Sequence, residues 1–145
     1  MAVIGPGSTG LDRRTGRLLT GLDHVCHCVE YIFATRIGSR VMLRWFGSGL
    51  PELLGRRATR RNLALYQTLI ALGIRTWEPR LDVVRVTAAG TRPAELRLGE
   101  LRFTVLCRYR PNALRGDFRV EGGLVRIGIG ANDNFNRITV DRLAA

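Results

Sequence analysis

The stretch that decides the fold is "RTWEPRLDVVRV", residues 75–86, because the spacing of apolar residues changes within it. Upstream of it the apolar residues recur at helical spacing, and downstream they alternate as they do in a strand. Pro79 lacks a backbone N–H and clashes with a preceding helical turn, so the helix must end near Trp77. Pro79 also moves Glu78 toward an extended conformation, which places the Glu78 and Arg80 side chains on the same side of the chain.

The Glu78–Pro79–Arg80 corner has two interpretations that the residues alone do not separate. As a solvated helix end, its pair of opposite charges would contribute about 0 to 1 kcal/mol. As a site docked in a dry pocket, the same pair would matter more, because truncating one member of a buried pair costs about 3 to 5 kcal/mol.

Upstream of the corner, residues 20–78 are predicted to be helical. Thr20 and Asp23 have capping-box spacing for a first long helix that should end near Thr35. Thr59 should begin the second long helix. Its apolar stripe consists of Leu63, Tyr66, Ile70, Ile74 and Trp77. The Gly-punctuated segment between the helices is predicted as short helical turns and loops, and the basic, Gly-rich residues 1–19 as a loosely ordered arm.

Downstream of the corner, residues 81–145 are predicted to form strands. One strand is expected over residues 81–86 and another over residues 95–109, where apolar and polar residues alternate. The segment "FRVEGGLVRIGIG" predicts a hairpin that turns at Gly122-Gly123, and "NRITVDRL" a last short strand. The fold class is therefore α+β in one domain over residues 1–145: two long N-terminal helices packed on a small, mostly antiparallel sheet, with an added C-terminal hairpin.

The composition is strongly basic. All 23 basic residues are Arg, and the formal net charge is +11. Such a chain is attracted to polyanions or to acidic protein surfaces. The Arg residues are spread through every segment and no RNA- or DNA-binding motif is present, so a nucleic-acid-binding protein is the alternative rather than the preferred interpretation. No apolar run approaches the roughly 20 residues that span a bilayer, and the N-terminus does not resemble a signal peptide, so we expect a soluble protein made in the cytoplasm with no membrane partner.

Neither a metal site nor a catalytic site is predicted. In "DHVCHC", residues 23–28, His24 and Cys28 share a helix face, but no second ligand pair completes a zinc site. A glycoside hydrolase needs a carboxyl group that stays protonated, whereas each candidate Glu lies within a few residues of an Arg, which lowers a carboxyl pKa when the groups are close. We therefore expect no metal, no cofactor and no enzymatic activity.

Three motifs in register resemble those of the baseplate wedge and sheath-initiator family of contractile phage tails, which also serves type VI secretion baseplates. A Gly-Ser-Arg turn lies within residues 37–41, a Phe-Gly-Ser-x-Leu segment spans residues 46–50, and Glu-Pro-Arg at residues 78–80 ends the long helix. Their order and spacing match the family across about residues 10–110. A single tripeptide would be weak support, whereas three in register are specific.

The resemblance implies a non-enzymatic baseplate component of a virion tail, assembled in the host cytoplasm and placed around the tail tube, in six copies. The corner residues Glu78, Pro79 and Arg80 would dock on the helical core bundle of the larger wedge proteins. The strands after the corner, between Leu81 and Tyr109, would accept strands from the first ring of sheath subunits. The further partner-binding residues at the turns would be Gly38, Ser39, Arg40, Phe46, Gly47 and Ser48. Charge complementarity along the sheath-facing strands would come from Arg85, Arg102, Arg108 and Arg110.

The sequence leaves several points open. The source is a phage, a secretion system or another contractile particle, and residues 117–145 depart from the family pattern as an extension of unassigned role. Cys26, Cys28 and Cys107 are candidates for disulfides with neighbouring subunits. A cell-wall hydrolase is a third, weaker interpretation, since some relatives carry a lysozyme name.

For the corner, we expect Glu78→Ala or Arg80→Ala to leave the fold intact and to block wedge assembly.

Overall fold

The computed structural model describes residues 8–54, 56–57, 59–89, 101–132 and 137–143. Its elements, in chain order, are β1 (Thr9–Leu11), β2 (Leu18–Thr20), α1 (Gly21–Ala34), α2 (Arg60–Trp77), β3 (Leu81–Ala89), β4 (Leu101–Tyr109), β5 (Leu124–Asn132) and β6 (Arg137–Leu143). A single 3-10 turn lies between β4 and β5.

Both helices begin and end at the residues that the sequence predicts. Thr59 caps α2, with its side-chain oxygen accepting from the Asn62 N–H at 3.2 Å, and the Glu78 N–H closes the last turn on the Ile74 carbonyl at 2.8 Å. Thr20 precedes α1 in an extended conformation but makes no side-chain cap hydrogen bond, so the predicted capping box is wrong in that detail. Neither of these helices is both long and apolar enough to cross a membrane.

The four longer strands form one antiparallel sheet in the order β3-β4-β5-β6. The two helices cover one face of it, with α2 packed mainly on β3 and α1 on β6. Between the helices and the sheet lies one apolar core, whose largest fully buried side chains are Phe33, Phe103, Ile70, Ile74 and Ile127. The α+β class and the helices-on-sheet arrangement are confirmed.

Two parts of the chain differ from the expectation. Residues 9–19, predicted within a loosely ordered arm, belong to a β1–β2 hairpin that ends at Thr20 and packs on α1. The predicted hairpin at Gly122-Gly123 is wrong in its first arm, because residues 118–121 form no strand and β5 pairs with β4 instead. The C-terminal hairpin consists of β5 and β6. Residues 133–136 between them lie outside the described residues, as do residues 95–100, where a strand was predicted to start.

Candidate functional site

The Glu78 and Arg80 side chains form a bidentate ion pair, with Nε–Oε1 and Nη2–Oε2 distances of 2.6 Å each. They face each other because Glu78 adopts φ −124° and ψ 79°, outside the helical region, as the following proline requires. The residues are only 2% and 4% exposed. The interpretation of the corner as a solvated helix end is therefore wrong.

The pocket around this ion pair is closed by the protein's own N-terminal hairpin and by α1. Arg80 Nη1 donates to the Ser8 hydroxyl and lies 3.3 Å from Nδ1 of His24 in the first turns of α1. Strand β1 passes directly over the same imidazole at Gly10, where an added Cβ would overlap the ring. Burial of the charged pair is thus a property of the free chain and does not need a partner.

The pKa shifts at this site follow from burial and from the neighbouring charges. Burial opposes the charge on Arg80, but the hydrogen bonds and the negative charge of Glu78 outweigh it and hold the pKa of Arg80 above its ordinary value. Burial and the nearby guanidinium lower the pKa of His24 below its ordinary value. A neutral imidazole adds no like-charge repulsion to Arg80, so the pocket holds one compensated ion pair.

The three motifs noted in the sequence are in contact with one another. The guanidinium of Arg40, from the Gly-Ser-Arg turn, lies 4.7 Å from the ring centroid of Tyr31 and 4.3 Å from that of Phe46. Phe46, from the Phe-Gly-Ser segment, packs against Trp77 with ring centroids 4.9 Å apart. Trp77 directly precedes Glu78, so a continuous arginine-aromatic stack joins the turn to the corner.

The Phe-Gly-Ser segment fixes the backbone of this region. Gly47 has φ +126°, and a Cβ there would overlap the carbonyl of Thr35 at the end of α1. The Ser48 N–H donates to that carbonyl at 3.0 Å, and Trp77 Nε1 donates to the Gly47 carbonyl at 3.0 Å. Gly47 and Ser48 are buried. These two predicted partner-binding residues therefore anchor the loop within the chain, whereas Gly38 is exposed.

The arginines predicted to face the sheath occupy two kinds of position. Arg85 is exposed on β3, which is an edge strand, whereas Arg102 and Arg108 are exposed on β4, which lies inside the sheet. Arg110 follows β4 and donates to the Asp82 carboxylate at 2.7 Å, and Arg108 lies 3.9 Å from the same group. The predicted edge between Leu81 and Tyr109 is therefore provided by β3 alone.

The cysteines and histidines do not form a metal centre in the part of the chain that the structure describes, where no three potential ligands lie close enough together. His24 Nε2 is 3.5 Å from Cys28 Sγ, on one helix face as predicted. Cys26 and Cys107 are buried, and burial raises the pKa of the Cys107 thiol to about 12. Cys28 is half-buried.

Comparison with known proteins gives the family. The sequence profile of the family described as "Baseplate wedge protein gp25" matches residues 20–113, from the start of α1 past the end of β4. This chain belongs to that family. Baseplate protein W of Escherichia phage P2 is 31% identical over 80 residues, which cover 55% of this chain and 70% of the phage P2 protein.

Solved structures share the fold. A candidate tail lysozyme from Geobacter sulfurreducens matches with a TM-score of 0.57 at 20% identity, covering 89% of this chain and 97% of its own. A chain of the postcontracted pyocin R2 baseplate matches with a TM-score of 0.56 at 26% identity, covering 70% of this chain and 98% of its own. A chain of the anti-feeding prophage baseplate matches with a TM-score of 0.52 at 22% identity, covering 74% of this chain and 87% of its own.

The chain is thus a baseplate wedge component of a contractile tail-like particle, located in the tail baseplate. All three motifs lie inside the family-matched residues 20–113, while β5 and β6 follow them. The Geobacter structure covers 89% of this chain, so its likeness must include part of the chain after residue 113. The C-terminal extension predicted from the sequence is in the same sheet as β3 and β4.

Proposed function

We propose that this wedge component is a sheath initiator. It docks on the helical core bundle of the wedge through the Glu-Pro-Arg corner, and it templates the first sheath ring by accepting a strand along β3. The observation that carries the proposal is the position of β3, a nine-residue strand at the edge of the sheet that begins directly after Arg80. Strand addition to an open edge supplies backbone hydrogen bonds and a fixed register.

The corner suits docking because it is rigid and its apex is exposed. Pro79 is exposed between two buried residues, Glu78 and Arg80. The backbone on either side is fixed by hydrogen bonds from the Leu81 N–H to the Glu78 carbonyl at 3.1 Å and from the Arg110 N–H to the Arg80 carbonyl at 2.8 Å. We propose that Pro79 makes the contact with the wedge bundle, and that the charged pair positions it from inside. This differs from the sequence-based expectation, in which the charged side chains themselves met the partner.

Strand β3 suits selective strand addition. Its register with β4 shifts between Val83 and Arg85, so Val84 is an extra residue in a bulge, and its side chain is 47% exposed. Arg75 of α2 donates to the Val83 carbonyl at 3.2 Å, beside a groove of about 420 Å³ between α2 and β3 that Leu72 and Val84 line. Bulges and charged residues protect an edge from indiscriminate pairing. An incoming strand would place apolar side chains in the groove and acidic ones near Arg75 and Arg85.

The strand-addition step is tested by changing the groove without unfolding the chain. Val84→Asp introduces a charge at an exposed position on the bulge, and Val120→Asp, at a side chain 43% exposed in the β4–β5 connection, is its matched control. In particles assembled with Val84→Asp we expect complete baseplates and tubes that lack sheath, while Val120→Asp gives normal particles. Fully sheathed Val84→Asp particles would overturn the strand-addition proposal.

The docking step is tested at Pro79. Pro79→Glu adds bulk and charge at the exposed apex, whereas Pro79→Ala removes the same proline constraint without the charge. We expect Pro79→Glu to be absent from purified wedges and Pro79→Ala to be incorporated. Incorporation of both variants at equal levels would show that the apex makes no contact that matters.

Six copies around the tail tube and a non-enzymatic role complete the proposal. Glu78 and Glu52, two of the candidate acids, are paired with guanidinium groups at 2.6 and 2.8 Å, so neither has the apolar surroundings that keep a general acid protonated. Subunit counting by quantitative mass spectrometry of particles should give six copies per tail, and the purified protein should release no peptidoglycan fragments. Peptidoglycan release that survives repurification would contradict the structural role.

A further inference from the structure

We propose that the segment at residues 37–45, here called the apolar loop, is a second docking element that inserts into an apolar groove with an acidic rim on another baseplate protein. Its large apolar side chains are unusually exposed: Ile37 55%, Val41 88%, Met42 80%, Leu43 50% and Trp45 67%. Contiguous exposed apolar patches of this kind mark interaction sites on soluble proteins. The groove and corner of the sheath-initiator proposal contain none of these five residues.

The apolar loop has a fixed conformation in the free chain. The Gly38 N–H donates to the Arg44 carbonyl at 2.7 Å across its base, and the Phe46 N–H donates to the Leu43 carbonyl at 2.9 Å. Between these bonds Leu43 adopts φ +58°, which is uncommon for a residue with a branched side chain. A loop held in one conformation loses little entropy on binding. The exposed side chains are therefore presented on a rigid support.

The chemistry around the apolar loop indicates the groove it fits. Residues 36–48 contain three arginines and no acidic residue. Arg36 pairs with Glu52 at 2.8 Å and Arg40 is stacked on aromatic rings, while Arg44 is exposed beside the apolar side chains. A convex apolar segment with a positive flank is complementary to a concave apolar surface bordered by carboxylates. Burial of Trp45 would supply the type of aromatic anchor that dominates such interfaces.

The partner is a protein because the chain belongs to a baseplate wedge family. The inference rests on that membership and not on the sheath-initiator role. The apolar loop is also connected to the corner, since Phe46, the residue directly after the loop, packs on Trp77 with ring centroids 4.9 Å apart. One neighbouring wedge protein that holds the corner can therefore engage a loop whose position relative to Pro79 is fixed.

The first test replaces the exposed side chains. The double variant Met42→Ser/Trp45→Ser is compared with Leu114→Ser/Phe118→Ser, whose side chains are 61% and 58% exposed in the β4–β5 connection. Both variants should melt within a few degrees of the unchanged protein. We expect at least tenfold less of the loop variant in assembled baseplates and a normal amount of the control. Equal incorporation of the two, measured by mass spectrometry of particles, would overturn the proposal.

The second test identifies what the apolar loop touches. A photo-reactive amino acid is placed at position 42, particles are assembled and irradiated, and the cross-linked peptides are sequenced. The expected peptide comes from a different baseplate protein and combines apolar residues with Asp or Glu. Cross-links to a second copy of this chain or to a sheath subunit would overturn the proposal. So would loop-dependent binding of the purified protein to anionic phospholipid vesicles.

The two proposals fail in distinguishable ways. A loop variant that cannot dock never enters the baseplate, whereas Val84→Asp enters it and leaves the tube without sheath. Sheathless particles that contain the loop variant in normal amounts would place residues 37–45 against the sheath and refute a wedge contact.

Discussion

Removing one member of the Glu78–Arg80 pair should destabilise the free protein strongly. The two side chains are joined by two hydrogen bonds of 2.6 Å, and Glu78 is 2% and Arg80 4% exposed. Glu78→Ala therefore leaves a buried guanidinium without its carboxylate. Breaking a buried pair in this way costs about 3 to 5 kcal/mol. The total free energy of unfolding of a single domain is about 5 to 15 kcal/mol, so the loss is a large part of it. At about 3 °C per kcal/mol for a chain of this size, Tm should fall by about 10 to 15 °C.

The assay is thermal and urea unfolding of the purified single variants and of Glu78→Ala/Arg80→Ala. The double variant leaves no unpaired charge, so its loss should be smaller than the sum of the single losses by about 1 kcal/mol or more. The matched control is Arg36→Ala, which breaks the ion pair with Glu52 where the side chains are 61% and 55% exposed. An exposed pair contributes about 0 to 1 kcal/mol, so the control should lose no more than that.

Single variants that unfold within about 1 kcal/mol of the unchanged protein, with additive effects in the double variant, would refute this reasoning. They would restore the sequence-based expectation that the charges serve a partner and leave the fold intact when truncated. If the predicted loss is found, a failure of either variant to assemble wedges reports instability first. Pro79→Glu is then the cleaner test of docking.

Three further predictions concern the interior and the thiols. Gly73→Ala should lower the free energy of unfolding in urea by about 1 kcal/mol, because the new Cβ would lie 2.9 Å from Cε1 of Phe33. Overpacking costs about 1 to 3 kcal/mol, which exceeds the helix-propensity gain of about 1 kcal/mol from alanine. A rise in Tm would contradict this prediction. The lowered pKa of His24 means that the unfolded chain binds the proton more readily than the folded chain, so the free energy of unfolding should fall as pH drops below about 6.5. His24→Gln should reduce the slope of the free energy of unfolding against pH between about pH 7.5 and 5.5. An unchanged slope would refute the claim that His24 causes this pH dependence. At pH 8 a thiol reagent should label half-buried Cys28 before Cys107, whose pKa is about 12, and the reverse order by mass spectrometry would contradict the burial.

The corner and the helix ends could be predicted because their causes are local. Pro79 acts on the residues directly before it, and Thr59 caps a helix whose apolar spacing is regular. The burial of the ion pair could not be predicted, because the groups that close its pocket, Ser8 and His24, are 72 and 56 residues away from Arg80. The sequence offers one signal, since His24 and Cys28 share a helix face, but that spacing by itself points to a candidate metal site rather than to a buried ion pair.

The pairing of the last strands shows the same limit. Gly122-Gly123 is a good local turn signal, and Gly122 does adopt φ +76°. Whether such a turn joins two paired strands depends on which partner is available elsewhere, and here β5 pairs along β4 with Phe103 opposite Ile129. The turn residues therefore lie in the long β4–β5 connection, where the Glu121 N–H donates to the Tyr109 carbonyl at 2.9 Å.

The apolar loop was the least predictable part. Apolar residues between glycines are compatible with either a buried turn or an exposed one, and only tertiary packing decides between them. Met42 in the loop is 80% exposed, whereas Phe46, directly after the loop, is half-buried against Trp77.

The most direct test of the central claim is a reconstruction of the assembled particle at side-chain resolution. Our account predicts that helices of another baseplate protein pack against Pro79, with Glu78 and Arg80 still paired inside this chain, and that a sheath strand is hydrogen-bonded along the outer edge of β3. A particle in which Pro79 faces solvent and no foreign backbone lies beside β3 would contradict the account.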